Sequence, residues 1–190
     1  PWELHDAWAI SSSTITESSS WSSLSTITLR VFKPLGMVDT HFQLPKNKVD
    51  RFSTNYINNV PKKYRWLLGK SFNPEGKLIA IDPIDSSQFS RKVDFLSGGG
   101  GLLSTTKDYL QFCQMILNDG ILEGNRILKS ETVELIKQNS VNDLFYSGSQ
   151  GFGYGFAIEY TDKSLNKTSQ KGILYWGGYF NTRFFIDTEN

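Results

Sequence analysis

One cysteine, two histidines and a net charge of +1 over 190 residues leave little for several classes of function to work with. The lone thiol, Cys113, cannot close an internal disulfide, and with His5 and His41 as the only imidazoles no ligand set with zinc-like spacing can be assembled. No metal and no cofactor are expected. Cys113 falls among Phe112, Met115 and Ile116 and reads as a small buried apolar residue. The 20 Lys and Arg are scattered and balanced by 19 Asp and Glu. Without a basic stripe to track phosphates, a nucleic-acid partner has no electrostatic support. There is no run of about 18 apolar residues, so no membrane-spanning helix is expected. No charged leader with an apolar core can be read behind Pro1. What the chain does have is length and 38% hydrophobic residues, enough for one domain that buries roughly 70% of its unfolded surface.

The first 30 residues are of a different kind from the rest. Nine of the fifteen positions from Ser11 to Ser25 are serine, with only Ile15, Trp21 and Leu24 as apolar anchors, too few to hold a packed element. Residues 1–30 are therefore expected to be poorly ordered, with the domain proper over residues 31–190. Between Pro45 and Pro83 prolines, asparagines and single aromatics alternate without period and suggest loops with short helices. Tyr109, Phe112, Cys113, Ile116 and Leu117 then recur at helical steps until Asp119-Gly120. Ser130 reads as the N-cap of a second helix whose apolar side carries Val133 and Ile136. Near the end the period changes to two. Phe152, Tyr154, Phe156, Ile158 and Tyr160 alternate with small residues as one strand whose small face another element can approach closely. Residues 172–176 and 182–187 follow as two strands joined at hairpin length.

Chemistry is first suggested by Ser104-Thr-Thr-Lys107, behind the four glycines 98–101. A serine opening a helix and a lysine one turn later can form a nucleophile and base, because a neutral amine then faces the hydroxyl proton. Thr105-x-x-Asp108 in the same run is also a capping box, which serves the free N–H groups of a first helical turn and needs no catalysis. The same Ser-x-x-Lys spacing recurs at Ser164-Leu-Asn-Lys167 in a polar loop, a measure of how easily it arises. Gly151-Phe-Gly-Tyr-Gly155 opens no helix and is no dinucleotide fingerprint, and Asn166-Lys-Thr168 is a bare three-residue glycosylation match.

Four blocks in order carry a resemblance: Pro34-Leu-Gly-Met-Val-Asp-Thr-His-Phe42, Gly98-Gly-Gly-Gly-Leu-Leu-Ser-Thr-Thr-Lys-Asp-Tyr-Leu-Gln-Phe112, Gly124-Asn-Arg-Ile-Leu128 and Tyr175-Trp-Gly-Gly-Tyr-Phe-Asn-Thr-Arg-Phe-Phe-Ile-Asp187. Together they resemble the C-terminal part of the β-lactamase-related serine hydrolases, which include class C β-lactamases, D-alanyl-D-alanine carboxypeptidases and esterases. The resemblance implies an α/β fold of the β-lactamase/transpeptidase type, an antiparallel sheet with helices. It implies that only part of this fold is present: some of the helical region and a C-terminal meander of three strands. It also implies a substrate-binding strand at Trp176-Gly177-Gly178, with the backbone N–H of Tyr179 supplying half of an oxyanion hole for a small-molecule substrate.

The family's other two motifs, Ser-x-x-Lys and Tyr-x-Asn, precede its Pro-Leu-Gly-Met block. Ser104 and Lys107 follow that block, as do Tyr56-Ile-Asn58 and Tyr179-Phe-Asn181, and no tyrosine occurs before Tyr56. Ser104 and Lys107 are accordingly read as a decoy at a helix start, and no catalytic residue is assigned. The expectation is a fragment, open at both ends, of an enzyme that hydrolyses an ester, β-lactam or peptide amide through an acyl-enzyme, inactive by itself. Trp-Gly-Gly lacks the charge and hydroxyl of Lys-Thr-Gly, which favours esters over penicillins. A non-catalytic homologue that keeps the pocket as a binding or regulatory module is the alternative.

Overall fold

A computed structural model describes residues 26–57, 78–93, 96–97, 99–141, 150–160, 172–178, 180 and 182–188. Most of the serine-rich segment, residues 1–25, lies outside the described residues. The chain divides into two compact units, His41–Asp94 and a second one built from Pro1–Thr40 with Phe95–Asn190.

In the smaller unit Pro45, with ψ 139°, leads into a 3₁₀ turn, Lys46–Arg51, and strands β1 (Asn55–Ile57) and β2 (Ile79–Asp82) pair antiparallel with a bulge between Asn55 and Tyr56. The short helix expected in this stretch is present. The ribbon was not expected, because its strands are three and four residues long and pair across more than twenty others, so no local period announces them. Phe42 and Phe89 are buried here. Phe89 is held by its own N–H on Ser87 Oγ at 3.3 Å and by Leu44 N–H on its carbonyl at 2.9 Å.

The larger unit opens on a helical stretch that includes Thr26 to Arg30, the end of the serine-rich segment. In its wide turn, Thr28–Phe32, the N–H of Lys33 reaches back five residues to Thr28 at 2.8 Å. Helix α1 (Thr106–Leu117) follows the glycines. It ends where Asp119 takes a left-handed φ of 51° and the Gly120 N–H closes on the Met115 carbonyl at 2.8 Å. The terminating residue is thus Asp119 as much as the glycine. Gly120 is needed besides: a Cβ there would meet the Leu128 carbonyl oxygen. Strands β3 (Ile121–Leu122) and β4 (Asn125–Arg126) form a minimal hairpin around Glu123 and Gly124, both at positive φ, the geometry that matches strand twist in a two-residue turn. Helix α2 (Ser130–Lys137) has Lys129 rather than Ser130 before its first turn, with no side-chain cap. A lysine at that place defeats the propensity argument because its extended backbone, φ −71° and ψ 150°, already turns the chain.

Among the described residues the sheet has four antiparallel strands in chain order: β5 (Gln150–Phe152), β6 (Ala157–Glu159), β7 (Ile173–Gly177) and β8 (Arg183–Asp187). The expected meander had three, and the discrepancy lies at residues 150–160. What reads as one alternating strand is a hairpin: Gly155 has φ 85°, and Gly153 N–H bonds Phe156 O at 2.9 Å across the turn. Glycines at alternate positions imitate the small face of a strand, but here one of them makes the reversal. The expectation of close approach holds at the same glycines, since a Cβ on Gly153 would meet the Ile136 carbonyl at the end of α2, and one on Gly151 the Asn139 side chain.

Leu174, Ile186 and Ile158, cross-strand neighbours on β7, β8 and β6, are at most 2% exposed. Met115 and Ile116 of α1 and Val133 of α2 are fully buried. Tyr109 of α1 packs on Phe184 of β8, ring centroids 4.9 Å apart, and Phe184 meets Phe156 edge-on at 5.7 Å. That aromatic set binds helix to sheet.

Candidate functional site

The start of α1 is where sequence motifs converge. Thr105, extended at φ −111° and ψ 159°, is the N-cap, and its Oγ1 accepts the Asp108 N–H at 3.2 Å. The reciprocal half of the capping box is not made. Asp108 is 1% exposed, and its Oδ2 accepts the N–H of Asp39 at 2.7 Å and the hydroxyl of Thr40 at 2.9 Å. The carboxylate therefore ties the Pro-Leu-Gly-Met-Val-Asp-Thr block to the helix. Sequence reasoning had marked Asp108 as a cap and missed this tie. The available signal was that both blocks carry the same family resemblance.

Ser104 lies one residue ahead of the N-cap, outside the helix. Its Oγ is 2.9 Å from Thr40 Oγ1. Thr40 has one proton, already given to Asp108, so Ser104 donates and Thr40 accepts. The hydroxyl of Ser104 thus heads a chain Ser104–Thr40–Asp108 and also lies 3.5 Å from the Thr105 carbonyl. Lys107 is exposed on the second helical position, and no hydrogen bond joins it to Ser104 among the described residues. A Ser-x-x-Lys pair works because both side chains leave the same helical face one turn apart; here the serine precedes the first turn and that geometry is lost.

Trp176 and Gly177 end β7 and Gly178 follows it. Trp176 stands opposite Phe184 in register and meets the Phe152 ring edge-on at 5.3 Å. Gly178 N–H is taken by the Thr182 carbonyl at 2.8 Å, and a Cβ on Gly178 would meet the Thr182 hydroxyl. The strand that the resemblance nominates is therefore a well-formed hairpin arm whose last described amide serves the turn. Tyr179, the expected oxyanion donor, lies outside the described residues, as do Asn58, Asn181 and residues 164–168. Tyr56 sits exposed on β1 of the smaller unit. His41 accepts from Lys48 Nζ at 3.1 Å in that unit. Among the described residues no three His, Cys, Asp or Glu cluster as a metal site, and no helix is long and apolar enough to cross a membrane.

On α1 the Cys113 thiol and the Tyr109 hydroxyl are buried for packing. Burial pushes the Cys113 thiol from 9.0 up to about 11. Burial, with the neighbouring Cys113 adding to it, pushes the Tyr109 phenol well above its ordinary range. Both changes favour the neutral form, the opposite of what a nucleophile needs. Burial likewise raises Tyr160.

An antiparallel sheet with helices against its buried face is the β-lactamase/transpeptidase type of fold. The chain belongs to the Beta-lactamase family, whose model matches residues 22–190. Protein Rv1367c of Mycobacterium tuberculosis is 28% identical over 172 residues, 83% of this chain and 38% of its own length. Among solved structures, an engineered simvastatin synthase, LovD, from Aspergillus terreus superimposes with a TM-score of 0.62 at 22% identity, covering 87% of this chain and 41% of the other. EstCE1, a hydrolase with promiscuous acyltransferase activity, gives 0.57 at 24% identity, covering 87% and 42%. The chain thus spans about two fifths of the length of the relatives it matches.

Proposed function

We propose that these 190 residues form part of a serine-hydrolase fold that transfers or hydrolyses an acyl group through an acyl-enzyme, and that they do not acylate by themselves. The observation that carries this reading is the hydrogen-bonded position of Ser104. Its proton runs to Thr40 and the spacing to Lys107 has no helical turn behind it, so the one Ser-x-x-Lys in a family block lacks a base. Binding groups without nucleophile and base do not perform covalent catalysis of this kind. Trp176, Gly177, Gly178 and Tyr179 are the residues proposed to line the substrate, a small molecule. With no ammonium or hydroxyl at Trp-Gly-Gly to hold a substrate carboxylate, an ester fits better than a penicillin. That two similar structures are named as a synthase and as a hydrolase with acyltransferase activity supports acyl transfer as the chemistry.

The test is to incubate the purified chain with nitrocefin, a p-nitrophenyl ester and a fluorescent penicillin. No turnover and no covalent adduct are expected by mass spectrometry. An adduct on Ser104, lost in Ser104→Ala, would overturn the reading.

A further inference from the structure

We propose that the acyl donor carries an aryl group, which Trp176 receives with Phe152 as the positioning residue behind it. The inference rests on the reading of residues 176–179 as lining the substrate, and it gives that substrate a chemical class.

Along β7 the side chains of Leu174 and Trp176 share one face. Leu174 is 1% exposed, and Trp176, two residues nearer the Gly-Gly turn, is half-buried. The covered face thus opens at the indole. Residues of two neighbouring strands hold that ring. From β5 the half-buried Phe152 meets it edge-on, with centroids 5.3 Å apart and planes at 77°. On β8 Phe184 stands opposite it in register, and Phe184 is in turn packed on Tyr109 at 4.9 Å and Phe156 at 5.7 Å. The indole therefore stands at the end of a set of aromatic residues rooted in α1, and its plane is fixed by protein contacts.

Such a surface selects by charge distribution. An aromatic ring is negative on its face and positive at its rim, so a second ring docks offset or edge-on and gains about two- to tenfold in affinity beyond its buried area. A carboxylate meets the same negative face and is disfavoured, and the indole N–H is a single neutral donor that does not offset its charge. Gly177 and Gly178 add no side chain that competes with the ring. An aryl ester fits this wall better than a short alkyl ester, and either fits better than an ester that carries a free acid.

Titration of the isotope-labelled chain with methyl phenylacetate, methyl acetate and monomethyl succinate tests this by two-dimensional NMR. The readouts are the Gly177 and Gly178 amides and the Trp176 indole N–H, with the Leu174 and Ile186 amides as the check on folding. Methyl phenylacetate is expected to bind about tenfold more tightly than methyl acetate, with monomethyl succinate weakest. Phe152→Leu lowers that ratio about threefold, and Phe152→Tyr, which keeps a ring in place, preserves it; a merely structural role would weaken all three esters alike and leave the ratio. Trp176→Leu removes the aryl preference, and Trp176→Lys reverses the order in favour of the succinate ester. Three esters bound equally, a ratio indifferent to Phe152→Leu, or an aryl preference kept in Trp176→Leu would overturn the proposal and leave the strand as substrate-lining. No response to any ester from a folded chain would overturn that reading and the proposal with it.

Discussion

Replacing Asp108 with alanine removes the tie between α1 and the turn at residues 36–40, and its cost can be worked from three contacts. Oδ2 accepts the Asp39 N–H at 2.7 Å and the Thr40 hydroxyl at 2.9 Å. Hydrogen bonds to a charged group contribute about 1.5–3 kcal/mol each. The third contact, Asp108 N–H to Thr105 Oγ1 at 3.2 Å, is made by the backbone and survives. The loss is therefore about 3–6 kcal/mol, against about 1 kcal/mol for Thr105→Ala, which removes the cap alone. At about 2–4 °C per kcal/mol for a chain of this size, Asp108→Ala lowers Tm by roughly 6–24 °C. Urea titrations give the free energies. Amide hydrogen exchange gives the local readout, since the Asp39 N–H loses its acceptor in Asp108→Ala and keeps it in Thr105→Ala. A double-mutant cycle of Thr40→Val with Asp108→Ala should show a coupling of about 1–2 kcal/mol. Asp108→Ala costing no more than Thr105→Ala, with zero coupling to Thr40, would refute the reasoning.

Glycine replacements separate crowding from backbone strain. Gly153→Ala drives a Cβ into the Ile136 carbonyl at the end of α2 and costs about 3 kcal/mol or more in a urea titration, whereas Gly124→Ala meets open space and costs only about 1 kcal/mol for its φ of 80°. At Gly178 a Cβ meets the Thr182 hydroxyl, so Gly178→Ala is destabilising in the native sequence and less so when combined with Thr182→Ala, as paired thermal melts would register. Cys113 is buried with its thiol raised from 9.0 to about 11, so at pH 8 a thiol reagent labels it only on unfolding. Because the folded value lies above the unfolded one, the neutral-thiol contribution is complete below pH 9, and stability falls as pH rises from 9.0 through about 11; Cys113→Ala should remove that part of the alkaline slope.

Elements whose signal is local were legible in the sequence. The apolar steps from Tyr109 to Leu117 place α1 within a residue or two, and β7 with β8 follows from two short apolar runs, 172–176 and 182–187, at hairpin distance. Residues 150–160 misled because alternation has two physical sources. Large residues alternate with small ones along a half-buried strand, and they also do so when glycines are required on either side of a turn, as Gly153 and Gly155 are. Sequence alone does not say which glycine has positive φ. The ribbon of β1 and β2 was invisible for a different reason: its strands acquire their state only by meeting each other, and neither Asn55–Ile57 nor Ile79–Asp82 has length enough to show a period.

At Ser104 the sequence argued from position along the chain, and the structure adds the local geometry. Position along the chain argued that the serine stands where no nucleophile belongs; the structure supplies what it does instead. A serine one residue ahead of an N-cap cannot share a helical face with the lysine three positions later, because the intervening Thr105 is extended and breaks the turn between them. The same extended residue leaves the Ser104 hydroxyl to donate to Thr40, whose own hydroxyl donates to Asp108. A motif defined by spacing thus carries its chemistry only when both residues lie inside the helix. Whether Ser104 stands inside or outside the helix is set by the cap at Thr105 and not by the lysine, so a shift of the helix start by one residue changes the geometry of the pair.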